Sequence, residues 1–358
     1  MRPLLPTADE LAPYLRRIDA ARWYSNFGPM VDGFETRLAA HLNLTQDNLI
    51  CVTSGTAGLT ISLRAFDVPP GSFCLMPAWT FVASALAARW ADLQPLFVDV
   101  DEASWALTPE IALRALASAD GPVGAVMPVS AFGAPVDVDG WDRFREETGL
   151  PVVIDAAAAF DGAAFGQAPM VISLHATKVF GIGEGALIAC RDLAFAARVR
   201  AFANFGFEGQ RVAVYPGSNA KISEYAAAVG MAALDRWPRT RAAFAAATRA
   251  YREAFAGLGG LSMAPGMFDD HLRSTMNIRL DAPGAGPLMA ALDADGIATR
   301  QWWGKGCHRM PAFENAPRMP LPVTEALAET VVGLPFSQDI EATDVGAVRD
   351  AIARALNR

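Results

Sequence analysis

Lysine is scarce in this chain. Of 30 basic residues among 358, three are lysines, Lys178, Lys221 and Lys305, and the rest are arginines. Arginine stays protonated in proteins and cannot act as a nucleophilic amine, whereas lysine can. A lysine retained against this bias is a candidate for chemistry that arginine cannot perform. Chance retention stays open for any one of the three until its neighbours are considered.

Long apolar runs are also missing. No stretch reaches the ~18 residues that a membrane span requires, and Arg64 and Arg89 interrupt the most apolar segments. The first six residues, MRPLLP, lack a long apolar region ahead of an alanine-rich cleavage site, so no secretory signal is predicted. We therefore expect a cytoplasmic protein that does not bind membranes.

Cysteine and excess positive charge are lacking as well. The four cysteines are widely scattered without CxxC spacing, which argues against a zinc site or a disulfide framework. Asp269, Asp270 and His271 are adjacent, and adjacent side chains rarely converge on a metal, so we predict a solvated loop there. The net charge is −8 and the pI about 5.1, without the basic stripe of a nucleic-acid-binding protein.

Short apolar runs alternate with helical patterns through the first two thirds of the chain. Predicted strands cover residues 49–53, 73–76, 95–100, 123–127, 152–154, 170–173 and 186–190, and the last two resemble a hairpin-type pair. Buried strands that alternate with helices indicate a mostly parallel sheet covered on both faces. The chain is therefore predicted to be an α/β protein.

The pattern changes in the last third. Residues 223–237 and 240–258 are predicted as two helices separated by Pro238. Short strands at 276–280 and 297–301 and a final helix at 342–356 follow. We predict a large domain at 1–238 and a smaller one at 239–358.

A small-residue turn, TSGTAG at residues 53–58, separates a predicted strand from a helix. Gly55 allows close backbone approach, Thr56 offers a hydroxyl, and the N–H groups at a helix start bind phosphate. Ordinary helix capping explains the same residues equally well.

Asp155 ends the apolar run VVI and precedes small side chains. Ligands of open α/β sheets bind beyond the carboxyl ends of the strands. A carboxylate there can keep a pyridine nitrogen protonated and make the ring an electron sink. Capping of the next helix is the alternative.

Lys178 lies in the segment SLHATKVFGIGEG at residues 173–185. The glycines precede a strand rather than open a helix, which excludes a dinucleotide-binding loop. Burial among apolar neighbours would lower the pKa of the lysine, as imine formation with an aldehyde requires. His175 taken alone is more typical of a structural histidine. Together the three elements supply a phosphate site, a ring-nitrogen carboxylate and an amine, and the aromatics of PAWTF at 77–81 could stack on a ring.

These residues resemble the DegT/DnrJ/StrS family of nucleotide-sugar aminotransferases, which use pyridoxal 5′-phosphate (PLP). The resemblance rests on YSNFGP at 24–29, FE at 34–35, SGTA at 54–57, PAWTF at 77–81, FVDVD at 97–101, DAA at 155–157, residues 173–185, GSNAKISE at 217–224 and AA at 227–228. It implies the fold-type I architecture, a mostly parallel seven-stranded sheet sandwiched by helices, with a smaller C-terminal α/β domain.

The resemblance also implies roles for individual residues. Lys178 would carry PLP as a Schiff base and shuttle the proton, while Asp155 would pair with the pyridine nitrogen. The other residues expected at the cofactor are Gly55, Thr56, Ala57, Phe81, Ala158, Ser173, His175 and Asn219. Asn219 would reach the phosphate of the neighbouring subunit, which implies a homodimer with shared active sites. Ala158 stands where the family usually has Gln, so the contact of that Gln near O3′ is lost.

The implied reaction moves an amino group from L-glutamate to a nucleotide-linked keto-sugar, with ping-pong kinetics. The segment TRQWWGKGCHR at 299–309 looks like that of enzymes that make dTDP-4-amino-4,6-dideoxyglucose. Trp79, Lys305 and His308 are the expected substrate contacts. Amination at C3, a GDP-linked sugar, and destination in an O-antigen, a capsule or a secondary metabolite stay open. Rival classes are a cysteine desulfurase that uses Cys307 and a PLP-fold regulator without turnover; retention of Lys178 argues against the dehydratase branch.

Overall fold

The computed structural model describes residues 3–357. Its helices are α1 (Ala8–Ala21), α2 (Pro29–His41), α3 (Gly55–Ala65), α4 (Val82–Trp90), α5 (Pro109–Ser118), α6 (Val138–Thr148), α7 (Leu193–Ala203), α8 (Glu224–Ala254), α9 (Ala285–Ala294), α10 (Pro322–Thr330) and α11 (Ala342–Leu356). Its strands are β1 (Leu49–Val52), β2 (Phe73–Pro77), β3 (Gln94–Val98), β4 (Val123–Val126), β5 (Ile154–Asp155), β6 (Met170–Ser173), β7 (Ala186–Ala189), β8 (Leu261–Met263), β9 (Met276–Leu280) and β10 (Val331–Leu334).

Seven strands form one continuous sheet. Strands pair in the orders β1-β7-β6-β5 and β3-β2-β4, and parallel bridges at Val126–Val152 and Val129–Asp155 join the two groups. The N–H of Val153 donates to the carbonyl of Val126 at 3.0 Å across this junction. Strand β7 runs antiparallel to β1 and β6, and the other pairings are parallel. The predicted mostly parallel sheet and its closing β6–β7 pair are confirmed.

The sheet is buried on both faces because its strands are apolar in both registers. In β1, Leu49 and Cys51 join one hydrophobic cluster, whereas Ile50 and Val52 join the other. Successive side chains of a strand point to opposite faces, so one short apolar run contributes to two cores. The seven-stranded sheet with helices on both sides is the fold-type I arrangement.

A second sheet follows in the C-terminal part. Strands β8, β9 and β10 form an antiparallel sheet in the order β10-β9-β8. The strand predicted at residues 297–301 is wrong, because this segment makes only an isolated bridge between Arg300 and Gly333. Gln301 turns instead toward α10 and donates from Nε2 to the carbonyl of Ala328 at 2.8 Å.

Helix α8 is continuous, and the predicted break at Pro238 is wrong. The helix runs from Glu224 to Ala254 with Pro238 inside it. An internal proline costs about 3 kcal/mol, but the flanking Trp237 and Phe244 are buried in the hydrophobic core and offset this cost. Pro238 itself faces solvent. The division into domains at residue 238, which now falls within a helix, stays a prediction.

Membrane-spanning helices, metal-binding clusters and disulfides are not expected from the sequence, and the structure of residues 3–357 bears on each of them. Within residues 3–357, no helix is both long and apolar enough to cross a membrane. The same residues contain no group of three or more His, Cys, Asp or Glu side chains able to hold a metal ion. All four cysteines are free thiols in buried positions.

The buried carboxylate of Glu224 holds the start of α2. Its oxygens accept hydrogen bonds from the N–H groups of Gly28, Met30 and Val31 at 3.0, 2.6 and 3.3 Å. Helix α2 begins with Pro29 and lacks a side-chain cap of its own. A carboxylate at a helix N-terminus satisfies otherwise unpaired donors and interacts favourably with the helix dipole.

We expect Glu224→Gln to lower the free energy of unfolding by about 1.5–3 kcal/mol, the range for hydrogen bonds to a charged group. Urea unfolding monitored by circular dichroism measures this change. Glu253→Gln, at an exposed position of α8, is the matched control and should change stability by less than about 0.5 kcal/mol. Equal effects of the two substitutions would contradict the capping role of Glu224.

Candidate active site

A cleft of about 370 Å³ opens at the carboxyl ends of the parallel strands. Segments that follow β1, β2, β4, β5 and β6 meet there, together with residues 274–275 and 302–303. Residues that line it and were predicted from the sequence are Gly55, Thr56, Phe81, Asp155, Ala158, Ser173, His175 and Lys178. The position agrees with the rule that α/β sheets bind ligands beyond the carboxyl ends of their strands.

The turn between β1 and α3 offers an anion site. Ser54 is the N-cap of α3, and its Oγ accepts a hydrogen bond from the N–H of Ala57 at 3.2 Å. The first N–H groups of a helix have no partner within the helix, so those of Gly55 and Thr56 are left for a ligand. A Cβ at position 55 would lie 3.5 Å from the Cβ of Ser173, which places these two segments in contact.

Asp155 ends β5 and is 5% exposed. Its Oδ2 accepts a hydrogen bond from Ser84 Oγ at 2.7 Å, and its Oδ1 accepts one from the N–H of Ala157 at 3.2 Å. Burial raises the pKa of Asp155, while these two donors and the nearby charge of Lys178 oppose the rise. A buried carboxylate with donors on both oxygens is suited to face a cationic partner in the cleft.

Lys178 follows β6 in an irregular loop. The loop is held by hydrogen bonds from the N–H of Ala176 to the carbonyl of Gly183 at 2.8 Å and from the N–H of Lys178 to the carbonyl of His175 at 2.9 Å. Burial lowers the pKa of the Lys178 amine, and the charge of Asp155 partly opposes this effect. A lowered pKa increases the fraction of uncharged, nucleophilic amine at a given pH.

Aromatic side chains form part of the wall of the same cleft. Phe132 and Trp303 stack with ring centroids 3.9 Å apart, and Trp302 lines the cleft beside them. Phe81 is 55% exposed at the cleft edge. The backbone of Phe132 has φ of 52°, a left-handed conformation that is uncommon for a bulky side chain and often occurs at ligand sites.

Five predicted site residues do not line the cleft of the single chain, and four of them are Trp79, His308, Lys305 and Asn219. Trp79 is 3% exposed and packs edge-on behind Trp303, with centroids 5.4 Å apart. His308 is buried, whereas Lys305 is exposed away from the cleft. Asn219 is exposed, and its Oδ1 accepts a hydrogen bond from Lys221 Nζ at 2.7 Å. Trp79, Lys305 and His308 belong to segments whose neighbouring residues Phe81, Trp302 and Trp303 line the cleft, but their own side chains do not.

Ala57 also lies just behind the surface of the cleft, where its N–H is taken by Ser54. The residues that the sequence analysis missed are Ser84, Phe132, Trp302 and Trp303. The two tryptophans lie within the segment that the sequence had already marked at 299–309, and they were available as candidates there. The contact of Ser84 with Asp155 joins residues 71 positions apart, and the sequence contains no signal for it.

Comparison with known proteins settles the relationship. The sequence model of the DegT/DnrJ/EryC1/StrS aminotransferase family matches residues 7–353, nearly the whole chain. This chain belongs to that family. It is a PLP-dependent sugar aminotransferase with the fold-type I architecture.

This member of the DegT/DnrJ/EryC1/StrS family is similar to several aminotransferases that act on different sugars, among them two relatives and one protein of solved structure. It is 30% identical to the dTDP-3-amino-3,4,6-trideoxy-α-D-glucose transaminase of Streptomyces venezuelae, over 96% of this chain and 91% of that one. It is 31% identical to the dTDP-4-amino-4,6-dideoxy-D-glucose transaminase of Shigella dysenteriae, over 73% and 71% of the two chains. The structure of DesI with its TDP-sugar product superposes with a TM-score of 0.88 at 32% identity, covering 100% and 92%.

The site residues of this aminotransferase fit the cofactor of its family. The start of α3 and Ser173 provide an anion site, Asp155 provides a buried carboxylate, and Lys178 provides an amine of lowered pKa. A pyridine ring with a phosphate and an aldehyde needs one contact of each kind. All three line the same cleft, so one molecule can meet them together.

Proposed function

We propose that this enzyme transfers an amino group from L-glutamate to a dTDP-linked 4-keto-6-deoxyhexose and forms a 4-amino-4,6-dideoxy sugar. The observation that carries the proposal is the convergence of Lys178, Asp155 and the α3 N-terminus below an aromatic wall that includes Trp302 and Trp303. The relatives named for 4-amino-4,6-dideoxyglucose and for a TDP-sugar product, at 31% and 32% identity, support the sugar and the nucleotide.

In this proposal each residue of the cleft has one task toward PLP. Gly55, Thr56 and Ser173 hold the phosphate, with Ala57 behind them in the first turn of α3. Phe81 stacks on the ring, and Ala158 and His175 border it. The carboxylate of Asp155 holds the proton of the pyridine nitrogen. When bound, PLP supplies an electron sink for the negative charge that develops at the substrate carbon.

Lys178 performs the proton transfer. Burial lowers the pKa of its amine, which favours the uncharged form. It can therefore accept a proton from the substrate carbon and later return one, as general acid–base catalysis requires. Water is limited in this part of the cleft by Phe132 and Trp303, which are buried and stacked.

The flat faces of Trp302 and Trp303 suit the sugar or base of the acceptor. Aromatic rings bind such groups through apolar contact, and Trp302 carries a buried indole N–H that makes no hydrogen bond to any residue in 3–357. That N–H is packed beside Gly333, so Trp302 would meet the ligand through its ring face. Lys305 and His308, predicted as substrate contacts, would need to contribute from outside this cleft, and Trp79 supports Trp303 from behind.

A homodimer with shared active sites is part of the proposal. Large apolar side chains are exposed on one surface, where Tyr24 stacks with Tyr225 at 6.2 Å and Phe205 is 43% exposed. Lys221 Nζ lies 4.3 Å above the Phe205 ring and binds Asn219. Exposed apolar patches next to polar groups commonly mark interfaces. A second subunit that covered this surface would place Asn219 near the phosphate site of the neighbouring subunit. The cytoplasmic location of the protein stays a prediction.

The environment of Cys307 argues against the alternative function as a cysteine desulfurase, which would need this thiol as a nucleophile. Cys307 is fully buried, and burial raises its pKa to about 12. A nucleophilic cysteine needs a thiolate and access to the substrate.

Product analysis tests the substrate. Holoenzyme with L-glutamate is expected to aminate dTDP-4-keto-6-deoxyglucose at C4, with the position read from the NMR spectrum of the product. Rates with the corresponding dTDP-linked 3-keto sugar and with the GDP-linked 4-keto sugar should be at least about tenfold lower in kcat/KM, a difference of about 1.4 kcal/mol in transition-state binding. Faster amination of the 3-keto sugar would replace this proposal with the activity of the Streptomyces venezuelae relative.

A further inference from the structure

A chain of three buried side chains stands behind the cleft. Thr80 Oγ1 lies 2.7 Å from Ser84 Oγ, which lies 2.7 Å from Asp155 Oδ2. Thr80 and Ser84 are both fully buried, so water does not replace these contacts. Both belong to the segment that starts α4, whose N-cap is Phe81.

The direction of these hydrogen bonds follows from the acceptors. An ionised carboxylate can only accept, so Ser84 must donate its proton to Asp155. The oxygen of Ser84 then has lone pairs free, and Thr80 donates to it. If Asp155 were protonated on Oδ2, the chain would have to reverse and end with Thr80 donating to the carbonyl of Phe81, which lies 3.4 Å away. That last bond is long, so the chain favours the ionised carboxylate.

We infer that Ser84, supported by Thr80, is a positioning residue that orients the Asp155 carboxylate toward the cofactor and keeps it ionised. This inference rests on the proposed contact of Asp155 with the pyridine nitrogen. The start of α4 then acts on the cofactor ring from two directions, through Phe81 at its face and through Ser84 and Asp155 at its nitrogen.

Other charged groups around Asp155 are few. Lys178, in the loop after β6, is the charged side chain that affects the Asp155 pKa, and it lowers it. His175 and Glu184 also line the cleft, but they face each other, with His175 Nε2 3.6 Å from Glu184 Oε1. Strands β4 and β6 on either side of β5 present no titratable side chain within their bounds. Ser84 is therefore the side-chain hydrogen-bond donor to Asp155 within residues 3–357.

The test measures the reaction of holoenzyme with glutamate as a function of pH. Without Ser84 the pKa of Asp155 should rise. In Ser84→Ala the midpoint of the acidic side of the pH–rate profile should therefore shift to higher pH by about one unit, as expected for loss of a hydrogen bond to a charged group. The limiting rate at neutral pH should fall about tenfold with the half-saturating glutamate concentration changed less than about twofold. Ser84→Thr, which retains the hydroxyl, should restore the wild-type profile, and Thr80→Val should shift it by a smaller amount in the same direction.

The apoenzyme gives a second readout that does not depend on activity. A carboxyl group whose folded pKa is raised binds more protons in the folded state, so stability falls as pH rises between the unfolded and folded pKa values. In Ser84→Ala this fall should be larger, and the loss in melting temperature relative to wild type should be greater at about pH 7.5 than at about pH 5. Ser62→Ala is the matched control, because Ser62 is fully buried in α3 and its Oγ has no hydrogen-bond partner in residues 3–357. It should show a pH-independent change.

The outcomes separate the inference from the function on which it rests. An unchanged midpoint on the acidic side of the pH–rate profile and a pH-independent loss of stability in Ser84→Ala would overturn the role of Ser84 if Asp155→Asn still abolished the reaction. If Asp155→Asn also left the rate and the PLP affinity unchanged, the proposed contact of Asp155 with the cofactor would itself be contradicted. Loss of PLP affinity in Ser84→Ala that Ser84→Thr restores supports the inference.

Discussion

Replacing Lys178 with alanine should reduce amino transfer by at least on the order of 10⁴-fold, because the substitution removes both the nucleophile and the proton-transfer group. The amine lies in the cleft with Asp155 and the start of α3, and its pKa is lowered by burial. The measurement is single-turnover conversion of L-glutamate by holoenzyme. The visible absorption of lysine-linked PLP, and its borohydride-stable attachment to the chain, should also be absent from the variant.

Two controls show whether the loss of activity comes from the missing amine or from unfolding of the protein. Lys178→Arg keeps a positive charge and similar length but cannot act as a nucleophilic amine, so it should be as inactive as Lys178→Ala. The apo form of Lys178→Ala should be at least as stable as wild type, because it removes a buried amine.

The pH dependence of this stability has a definite sign. A basic group whose folded pKa lies below its unfolded pKa binds fewer protons when folded, so stability rises with pH between the two values. Wild-type apoenzyme should show this rise below pH 10.5, the ordinary value for lysine, and Lys178→Ala should lack it. Substantial amino transfer by either variant would show that another group performs the reaction.

Asp155→Asn should lower the rate of the glutamate reaction by about 10²–10³-fold, the range for removal of one preorganised electrostatic contact. The amide has nearly the same shape but no charge, so it cannot hold a proton on the pyridine nitrogen. It should also weaken PLP binding, measured by titration of apoenzyme. The structure supports this expectation because Asp155 is 5% exposed and both its oxygens accept hydrogen bonds from the protein.

Asp142→Asn provides a comparison for the Asp155 variant. Asp142 also accepts backbone hydrogen bonds through both oxygens, from the N–H groups of Gln167 and Ala168 at 2.8 and 2.9 Å, but it lies outside the cleft. We expect it to alter stability by about 1–3 kcal/mol while the rate per folded molecule stays unchanged. If the two variants lost activity equally, loss of folding rather than of charge at the ring would explain the result.

The parts of the site that the sequence predicted are those fixed by local chain geometry. The turn at 53–58, Asp155 at the end of its strand and Lys178 after the next strand each follow a buried apolar run. The carboxyl ends of parallel strands meet at one edge of the sheet, so the three could be brought together without any knowledge of side-chain contacts.

The parts that it could not predict depend on packing between distant segments. Trp79 and Phe81 are two residues apart in one turn, yet Trp79 is buried and Phe81 is 55% exposed. Their difference comes from Trp303 and Phe132, which cover Trp79 from other parts of the chain. The continuity of α8 through Pro238 likewise depends on the burial of Trp237, because local propensity favours a break.

The uninterrupted α8 has a mechanical consequence. A helix of 31 residues extends about 46 Å. Trp237, near its midpoint, touches the Lys178 loop through Phe180, with ring centroids 5.8 Å apart. Phe244, about two turns further on, packs against Phe336 after β10. The loop that carries the reacting amine and the segment that follows β10 therefore pack against the same helix, at positions seven residues apart. Their separation is set by the pitch of one helix rather than by a loop between two helices.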